Sequence, residues 1–386
     1  MIEREMAPRL QEMAEKFPVV YLSGPRQSGK TTLARAAFPE YGYVSFENPD
    51  VRRTFEADPN TFLAHYGCRM IFDEAQRVPE LFSYLQGIVD EGGGPGQYVL
   101  TGSQNFLLMQ SISQTLAGRV SIFTLPPLSL HELCQAGLAP TSIEEWLFMG
   151  GYPRLYDAGI EPPDFFPGYL RTYIERDVRG ELGVRSLHDF DTFVRLCAIR
   201  TGELLNLTSL ASDCGINRRT AQSWLSILEA SGIVYLLQPH FSNAGKRLVK
   251  SPKLYLVDTG LACSLIGLDA ADELTLDERK GHLFESAVIA EALKRSYAQG
   301  REPRLSFWRD ANGREIDLLV EKGLKPVHAV EIKASATYNP KFFDALDRVA
   351  GPELGLDSEA CSEVYGGDMS FTTERGSVVA FRDLQF

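Results

Sequence analysis

One eight-residue stretch restricts the possible folds more than any other part of the chain. It reads Gly-Pro-Arg-Gln-Ser-Gly-Lys-Thr over residues 24–31, between an apolar run at residues 18–22 and a helical pattern over residues 31–37. The glycines let the backbone curl so that several N–H groups face one anion, and the dipole of the following helix adds to that attraction. The stretch therefore predicts a phosphate-binding loop between a strand and a helix.

The chemistry of the loop residues predicts their roles. The Lys30 ammonium can reach the β- and γ-phosphates of a nucleotide, and the Thr31 hydroxyl can bind Mg²⁺. We therefore expect ATP and Mg²⁺ as cofactors and Lys30 as a catalytic residue; a glycine turn with an incidental lysine is the alternative. The predicted nucleotide-binding residues are Gly24, Pro25, Arg26, Gln27, Ser28, Gly29, Lys30, Thr31 and Thr32.

Two carboxylates follow the apolar segment of residues 70–72. Asp73 ends the predicted strand, where it can hold Mg²⁺, and Glu74 comes next, where it can polarise the attacking water as a general base. The alternative is that the pair only caps a helix. Because the pair lies downstream of a complete phosphate loop, we favour the catalytic interpretation.

A polar cluster, residues 101–105, ends another predicted strand. Ligands gather at the carboxyl edge of a parallel α/β sheet. Ser103 and Asn105 are therefore candidates for sensing the γ-phosphate or orienting water. A merely polar strand end is the other interpretation.

Short apolar runs alternate with helical patterns over residues 17–130, which predicts a parallel α/β sheet. Residues 140–200 are predominantly helical in pattern. Residues 203–260 predict short helices followed by a β-hairpin, and a long helical pattern from residue 277 precedes three further strands. The chain is thus expected to contain several modules.

The segments "GPRQSGKTT", "IFDEAQRVPEL", "LTGSQNFLL" and "LAGRV" resemble the AAA+ ATPases. They are most similar to a bacterial and archaeal group in which a nuclease-like domain follows the ATPase. The resemblance implies a homo-oligomeric ring or partial ring, with a hexamer as one size, in which one subunit's arginine completes its neighbour's site. Arg119 is the first candidate, with a structural ion pair as the alternative. Arg77 is the second candidate. Further candidates on a helix of the predicted lid, where a solvated charged face is the alternative, are Arg171, Arg176 and Arg179.

Residues 206–237 have the pattern of a helix-turn-helix. An apolar face precedes Gly215, which permits a tight turn, and Asn217 can cap the second helix; the hairpin pattern that follows fits a winged helix. Residues 217–253 carry six basic side chains, including Lys253, against the single acid Glu229. That local charge suits DNA phosphates, although winged helices also serve as spacers or protein contacts. The predicted DNA-binding residues are Arg218, Arg219, Lys246, Arg247 and Lys250.

A third group of polar residues lies near the C-terminus. Glu285 falls on the long helix, Asp317 on one strand, and Glu331 with Lys333 on the next. Period-2 alternation puts Glu331 and Lys333 on one face, and carboxylates with a lysine can support metal-assisted phosphodiester hydrolysis. We predict Asp317 and Glu331 as metal ligands and all four residues as catalytic.

This arrangement resembles the PD-(D/E)xK nucleases. Asp317 corresponds to the first acid, Glu331-Ile332-Lys333 to the E-x-K and Glu285 to the helical acid, while Ile316 replaces the proline of the motif. The alternative is a salt-bridged hairpin on an inactive nuclease fold.

Composition narrows the function further. The net charge of −12 argues against indiscriminate nucleic-acid binding over the whole surface, so DNA contact would need a local basic patch. The six cysteines form no CxxC pair, which argues against metal-knuckle spacing and suits a reducing cytoplasm. No apolar run has the length of a membrane span, and the N-terminal pattern is not that of a secretory signal, so we expect no membrane partner.

Taken together, these patterns predict an α/β fold: a P-loop AAA+ sheet with a helical lid, a winged helix-turn-helix and a C-terminal α/β nuclease-like domain. The expected function is a Mg²⁺-dependent ATPase acting on DNA, with nuclease activity as an open question. The alternatives are a nucleotide-controlled switch that binds DNA or protein and cuts nothing, and a regulator acting through the winged helix. The predicted domains are the ATPase core at 1–135, the lid at 136–200, the winged helix at 201–265 and the nuclease-like domain at 266–386.

Overall fold

The computed structural model describes residues 2–102, 115–173, 186–240, 251–310 and 312–386. The chain divides into two compact units, which are described separately. The first unit comprises Met1–Leu128, Ala230–Gly232 and Ser296–Glu302. The second unit comprises Ser129–Glu229, Ile233–Arg295 and Pro303–Phe386.

Strands and helices alternate in the first unit. Its strands are β1 (Val19–Ser23), β2 (Gly42–Ser45), β3 (Met70–Asp73), β4 (Tyr98–Thr101) and β5 (Val120–Thr124). Its helices are α1 (Ala7–Ala14), α2 (Lys30–Ala37), α3 (Pro49–Ala57), α4 (Pro59–Tyr66) and α5 (Leu81–Asp90), with a short 3₁₀ helix at Ala75–Arg77.

The five strands form one sheet in the order β2-β3-β4-β1-β5, and every neighbouring pair is parallel. The predicted parallel α/β sheet is therefore confirmed. Because parallel strands end at the same edge, the ends of β1, β3 and β4 come together there. This edge carries Ser23, Asp73 and Thr101.

The central strand β1 is buried along its whole length. Its side chains alternate between two hydrophobic clusters: Val19 and Tyr21 join one, and Val20 and Leu22 join the other. A strand buried on both faces is what helices packed on both sides of a parallel sheet produce. The sheet thus rigidly supports the loop that follows β1.

The second unit begins with helices. They are α6 (Leu130–Gln135), α7 (Ile143–Met149), α8 (Pro153–Asp157), α9 (Pro162–Tyr173), α10 (Leu187–Ile199), α11 (Leu207–Asp213), α12 (Arg218–Ala230), α13 (Thr259–Leu265), α14 (Lys280–Ala298) and α15 (Asp344–Leu354). Its strands are β6 (Val234–Pro239), β7 (Lys253–Leu256), β8 (Leu305–Arg309), β9 (Glu315–Lys322), β10 (Lys325–Lys333), β11 (Cys361–Tyr365), β12 (Phe371–Thr373) and β13 (Gly376–Ala380). Helix α14 ends in residues grouped with the first unit.

These strands form an eight-stranded mixed sheet in the order β12-β13-β11-β10-β9-β8-β6-β7. Strand β6 pairs with β8 in parallel through Gln238 and Pro239, so the hairpin β6–β7 belongs to the same sheet as the C-terminal strands. The predicted boundary between residues 265 and 266 therefore falls between strands of one continuous sheet. The division into four domains stays a prediction.

Two helices, α11 and α12, flank Gly215 in the predicted helix-turn-helix segment, while the winged-helix assignment stays a prediction. Gly215 has φ +68°, a left-handed conformation that glycine adopts without strain. The Asn217 side chain accepts a hydrogen bond from Thr220 N (2.9 Å) and so caps α12. Trp224 of α12 packs edge-on against Phe190 and Phe193 of α10, with ring centroids 5.3 and 5.6 Å away. These contacts anchor α12 on its buried side.

All six cysteines lie in the described ranges and are free thiols. Burial raises the pKa of the Cys197 and Cys263 thiols, so both behave as packing residues rather than nucleophiles. Among the described helices, none has both the length and the apolar character needed to cross a lipid bilayer.

Candidate nucleotide site and C-terminal acidic cluster

The loop after β1 requires glycine at its first position. Gly24 has φ +148°, and a Cβ there would lie 2.2 Å from the carbonyl oxygen of Leu125. Gln27 and Gly29 also have positive φ values, 59° and 94°. These conformations curl the backbone before the helix α2 starts at Lys30. Of the predicted residues, 24–29 form the loop and 30–32 the first turn of α2, an arrangement of the kind that binds phosphate.

The Lys30 side chain is held within this loop. Its Nζ donates to the carbonyl oxygens of Gly24 (3.0 Å) and Pro25 (2.7 Å), and the residue is 8% exposed. The ammonium therefore stays beside the curled backbone rather than extending into solvent. A cation confined there can contact a phosphate bound by the loop amides.

Asp73, at the end of β3, connects three elements of the sheet edge. It accepts hydrogen bonds from Thr31 Oγ1 (2.9 Å), Tyr43 Oη (2.9 Å) and Thr101 Oγ1. Thr31 and Asp73, predicted separately as Mg²⁺ ligands, thus lie in direct contact although 42 residues separate them. A hydroxyl and a carboxylate are the hard oxygen donors that Mg²⁺ takes, so these residues fit the ion.

Glu74 adopts an unusual backbone conformation, with φ 56° and ψ 40°. Its Oε2 accepts a hydrogen bond from Gln76 Nε2 at 2.5 Å. Burial, and secondarily the Glu74 charge, raises the pKa of Tyr21, which indicates that the Glu74 carboxylate lies near that buried hydroxyl. A non-glycine residue in this conformation is strained, and such strain is concentrated at functional sites. Ser103 and Asn105 lie outside the described residues.

Two side chains that sequence reasoning missed support the site, Arg4 at the loop and Tyr43 at Asp73. Arg4, 8% exposed, donates from Nη1 to Ser28 O (2.7 Å) and from Nη2 to Pro126 O (2.7 Å). Its guanidinium thus ties the phosphate loop to the segment after β5. The other, Tyr43, has its pKa raised first by burial and then by Asp73. No local motif marks either residue, because each acts through contacts that only the folded sheet creates.

Two of the candidate arginines, Arg119 and Arg77, have partners within the chain. Arg119 forms a bidentate ion pair with Asp90, with Nε–Oδ1 2.5 Å and Nη2–Oδ2 2.9 Å. It precedes β5 at the end where Val120 pairs with Val19, the opposite end of β1 from the phosphate loop. Arg77 lies 3.6 Å from Glu47. A role for any of these arginines in a neighbouring subunit stays a prediction; Arg171 lies in the last turn of α9, and Arg176 and Arg179 lie outside the described residues.

The second unit brings the predicted C-terminal residues together. Lys333 Nζ lies 2.5 Å from Glu331 Oε1 and 3.6 Å from Asp317 Oδ2. Asp317 Oδ2 also accepts a hydrogen bond from the backbone N–H of Ile332 (2.8 Å). Burial, and then the charge of Asp317, raises the pKa of Glu285 to about 7 and that of Glu331 to about 8. Asp317 therefore lies close to both of the other acids.

Three further side chains of this cluster were not predicted as site residues. Lys253 forms ion pairs with Glu285 (2.7 Å) and with Glu315, and Tyr255 donates to Glu285 (2.5 Å). Lys253 had counted toward the basic charge of the helix-turn-helix region, but it is 3% exposed and pairs with these acids. The Glu315 carboxylate could have been suggested by its spacing of two residues from Asp317. No comparable sequence signal indicates that β7 would bring Lys253 and Tyr255 next to these acids.

The predicted DNA-binding residues are only partly described. Arg218 and Arg219 are exposed in the first turn of α12. Lys246, Arg247 and Lys250 lie outside the described residues. DNA contact through these positions therefore stays a prediction.

Three family models match the chain in succession. Residues 16–134 match an AAA domain (AAA_14), residues 140–272 a domain of unknown function (DUF8612) and residues 280–384 another domain of unknown function (DUF4143). The first match covers the parallel sheet and the loop that follows β1. Together with that geometry, it defines an ATP-binding ATPase domain of the AAA type.

Two curated relatives are similar over most of the chain. They are uncharacterized protein Rv2008c of Mycobacterium tuberculosis and uncharacterized protein Mb2031c of Mycobacterium bovis, each 33% identical over 339 residues. The match covers 86% of this chain and 74% of each relative. The chain belongs to the family of these mycobacterial proteins.

Solved structures show a more distant similarity. The Walker-type ATPase PABY2304 of Pyrococcus abyssi matches with a TM-score of 0.45 and 16% identity, over 69% of this chain and 96% of that one. The ORC2 protein of Aeropyrum pernix in its ADP form matches with a TM-score of 0.31 and 16% identity, over 61% and 87%. RuvB of Thermotoga maritima matches with a TM-score of 0.29 and 17% identity, over 60% and 87%.

Proposed function

We propose that this chain is a Mg²⁺-dependent ATPase that couples ATP hydrolysis to work on DNA. The observation that carries the ATPase part is the contact between the Thr31 hydroxyl and the Asp73 carboxylate (2.9 Å), at the end of a loop that also holds the Lys30 ammonium. Phosphate binding and metal binding are thereby joined at one edge of the sheet.

Each residue of this site has a distinct part in the reaction. The loop amides and Lys30 bind the phosphates, and Thr31 with Asp73 would hold Mg²⁺, which neutralises charge on the phosphate oxygens when bound. Glu74 takes a proton from the attacking water. Ser103 and Asn105 are proposed to orient that water or to sense the γ-phosphate.

The same proposal includes assembly into a homo-oligomeric ring. An arginine from a neighbouring subunit would then stabilise the charge that develops during phosphoryl transfer. Arg119 could do so only after releasing Asp90, to which it is bound through two nitrogen atoms. The 3.6 Å approach of Arg77 to Glu47 is a looser pairing and would be easier to exchange.

DNA binding is proposed for the exposed start of α12. Arg218 and Arg219 are adjacent there and exposed, whereas Trp224 fixes the opposite side of the helix. An α-helix anchored on one side and basic at its N-terminal end suits insertion into the major groove or contact with phosphates. The basic charge is local, in a chain whose net charge is −12.

The double variant Arg218→Ala/Arg219→Ala is expected to weaken DNA binding by about 10-fold or more at low salt, because two phosphate contacts and their counterion release are lost. Mobility-shift titrations with duplex DNA measure this. Lys322→Ala/Lys325→Ala removes the same charge from exposed positions on β9 and β10 and should bind as wild type does. Equal affinity of the Arg218/Arg219 variant and wild type would favour a switch that contacts protein instead.

A second candidate activity is metal-dependent DNA cleavage by the C-terminal cluster. It is favoured by the proximity of Asp317, Glu331 and Lys333, which supplies two carboxylates and an ammonium in one place. Glu331 Oε2 is buried and has no hydrogen-bond partner within the described part of the chain, an orphaned acceptor that a divalent cation would satisfy. The donor set therefore fits Mg²⁺. When bound, the ion would activate water, and Lys333 would stabilise developing phosphate charge.

Asp317→Asn is expected to abolish any Mg²⁺-dependent cleavage of linear, supercoiled or single-stranded DNA, whether or not ATP is present. The loss should exceed about 100-fold, since the variant removes a charged metal ligand. Asp368→Asn is the matched control, because Asp368 is largely exposed and pairs with Arg382 instead. If wild type cleaves none of these substrates, the cluster is inactive and the non-cleaving switch is the better interpretation.

A further inference from the structure

The side chain of Lys253 lies among carboxylates of the second unit. Its Nζ is 2.7 Å from Glu285 Oε1 and also pairs with Glu315 Oε1. Tyr255, two residues along β7, donates to the same oxygen of Glu285. Lys253 and Tyr255, two residues apart on β7, thus both donate a hydrogen bond to the Glu285 carboxylate.

The carboxylates around Lys253 are spaced like the ligands of a metal ion. One oxygen each of Glu285, Glu315 and Asp317 lies within 4.8 Å of the others. Burial alone would lower the pKa of Lys253, but attraction to these three acids outweighs it and raises the pKa. Its ion pairs with Glu285 and Glu315 make the ammonium the cation that such closely spaced carboxylates require.

Charge counting supports this assignment. The wider group contains four carboxylates and three cations. The carboxylates are those of Glu285, Glu315, Asp317 and Glu331. The cations are Lys253, Lys333 and Arg309, and Arg309 lies 2.8 Å from Glu315 Oε2. With every group ionised, which requires a pH above the pKa of about 8 of Glu331, one negative charge remains. Without the Lys253 ammonium two would remain, which one divalent cation would balance.

We propose that the Lys253 ammonium is the resident cation of the Glu285–Glu315–Asp317 group and occupies the position in which a divalent cation would otherwise bind. This inference rests on the proposed nuclease centre and refines it: any metal binds on the Asp317–Glu331 side, and the second cation of the centre is a lysine. Lys253 is then a positioning residue that holds Glu285 and Glu315 in place without metal.

Manganese binding to the nucleotide-free, full-length chain tests this directly, with free Mn²⁺ measured by electron paramagnetic resonance. Lys253→Met is expected to bind one Mn²⁺ per chain more than wild type, with Kd about 0.1–1 mM, the range of weak carboxylate sites. Lys253→Arg keeps the positive charge and should retain the wild-type count. Adding Glu315→Gln to Lys253→Met should remove the extra ion.

Two results would overturn the proposal: a folded Lys253→Met chain that gains no Mn²⁺, or a wild-type Mn²⁺ count that falls when Glu315 alone becomes Gln. The second measurement also decides the matter if Lys253→Met does not fold, since an unchanged count supports the proposal. Glu331→Gln tests the proposed nuclease metal separately. If Lys253→Met gains Mn²⁺ but Glu331→Gln binds as much Mn²⁺ as wild type, the lysine assignment is upheld and the proposed nuclease metal is contradicted. The two ideas therefore fail separately.

Discussion

Lys30→Ala is expected to reduce ATP turnover by about 10³-fold or more in kcat/KM. Removing one preorganised donor from a developing anion costs about 10²–10³ in kcat, and losing the ammonium also weakens binding of the phosphates. The described geometry gives a specific reason: Lys30 Nζ is confined by the carbonyl groups of Gly24 and Pro25, so its charge lies within the loop itself. Steady-state phosphate release and binding of a fluorescent ATP analogue measure the two effects.

Lys16→Ala is the matched control. Lys16 carries the same charge in the same unit, but it is exposed and pairs with Glu12 across one helical turn. The Lys16→Ala variant should hydrolyse ATP at the wild-type rate. Normal turnover in Lys30→Ala would refute the assignment of the whole nucleotide site, because every other predicted role depends on phosphate being bound there.

The first unit was largely predictable because its signals are local. Eight consecutive residues specify the loop, and the requirement for glycine at position 24 follows from a carbonyl 2.2 Å from where its Cβ would lie. The contact of Thr31 with Asp73 is long-range in sequence, yet it follows from a general rule: parallel strands end at one edge. The role of Arg4 could not be predicted because its contacts with Ser28 and Pro126 depend on how the N-terminal segment packs.

The second unit shows where pattern reasoning fails. Alternation along a strand correctly put Glu331 and Lys333 together, since it needs only the geometry of β10. It could not show that β7 would deliver Lys253 to Glu285, because that contact depends on the hairpin joining the C-terminal sheet. Glu363 is a similar case. It pairs in register with Glu331 and is fully buried, and burial raises its pKa to about 7, yet no motif marks it.

Glu74→Gln is expected to lower kcat for ATP hydrolysis by about 10²–10⁴-fold, the usual contribution of a general base. ATP binding should persist, because the amide keeps the size of the side chain and the phosphate-binding groups are unchanged. The variant should therefore accumulate bound ATP rather than ADP. Single-turnover hydrolysis and chromatography of the nucleotide retained by the protein distinguish trapped ATP from failed binding.

Comparison of Glu74→Gln with Lys30→Ala separates loss of catalysis from loss of phosphate binding. Both variants should turn over slowly, but only Glu74→Gln should retain ATP, because one change removes phosphate attraction and the other removes the acceptor for the water proton. Glu80→Gln is the matched control. Glu80 is exposed, lies six residues after Glu74, and its side chain makes no capping hydrogen bond to α5. The variant should therefore match wild type in both assays. If Glu74→Gln hydrolyses ATP at the wild-type rate, the general base lies elsewhere and the catalytic assignment of Glu74 is wrong.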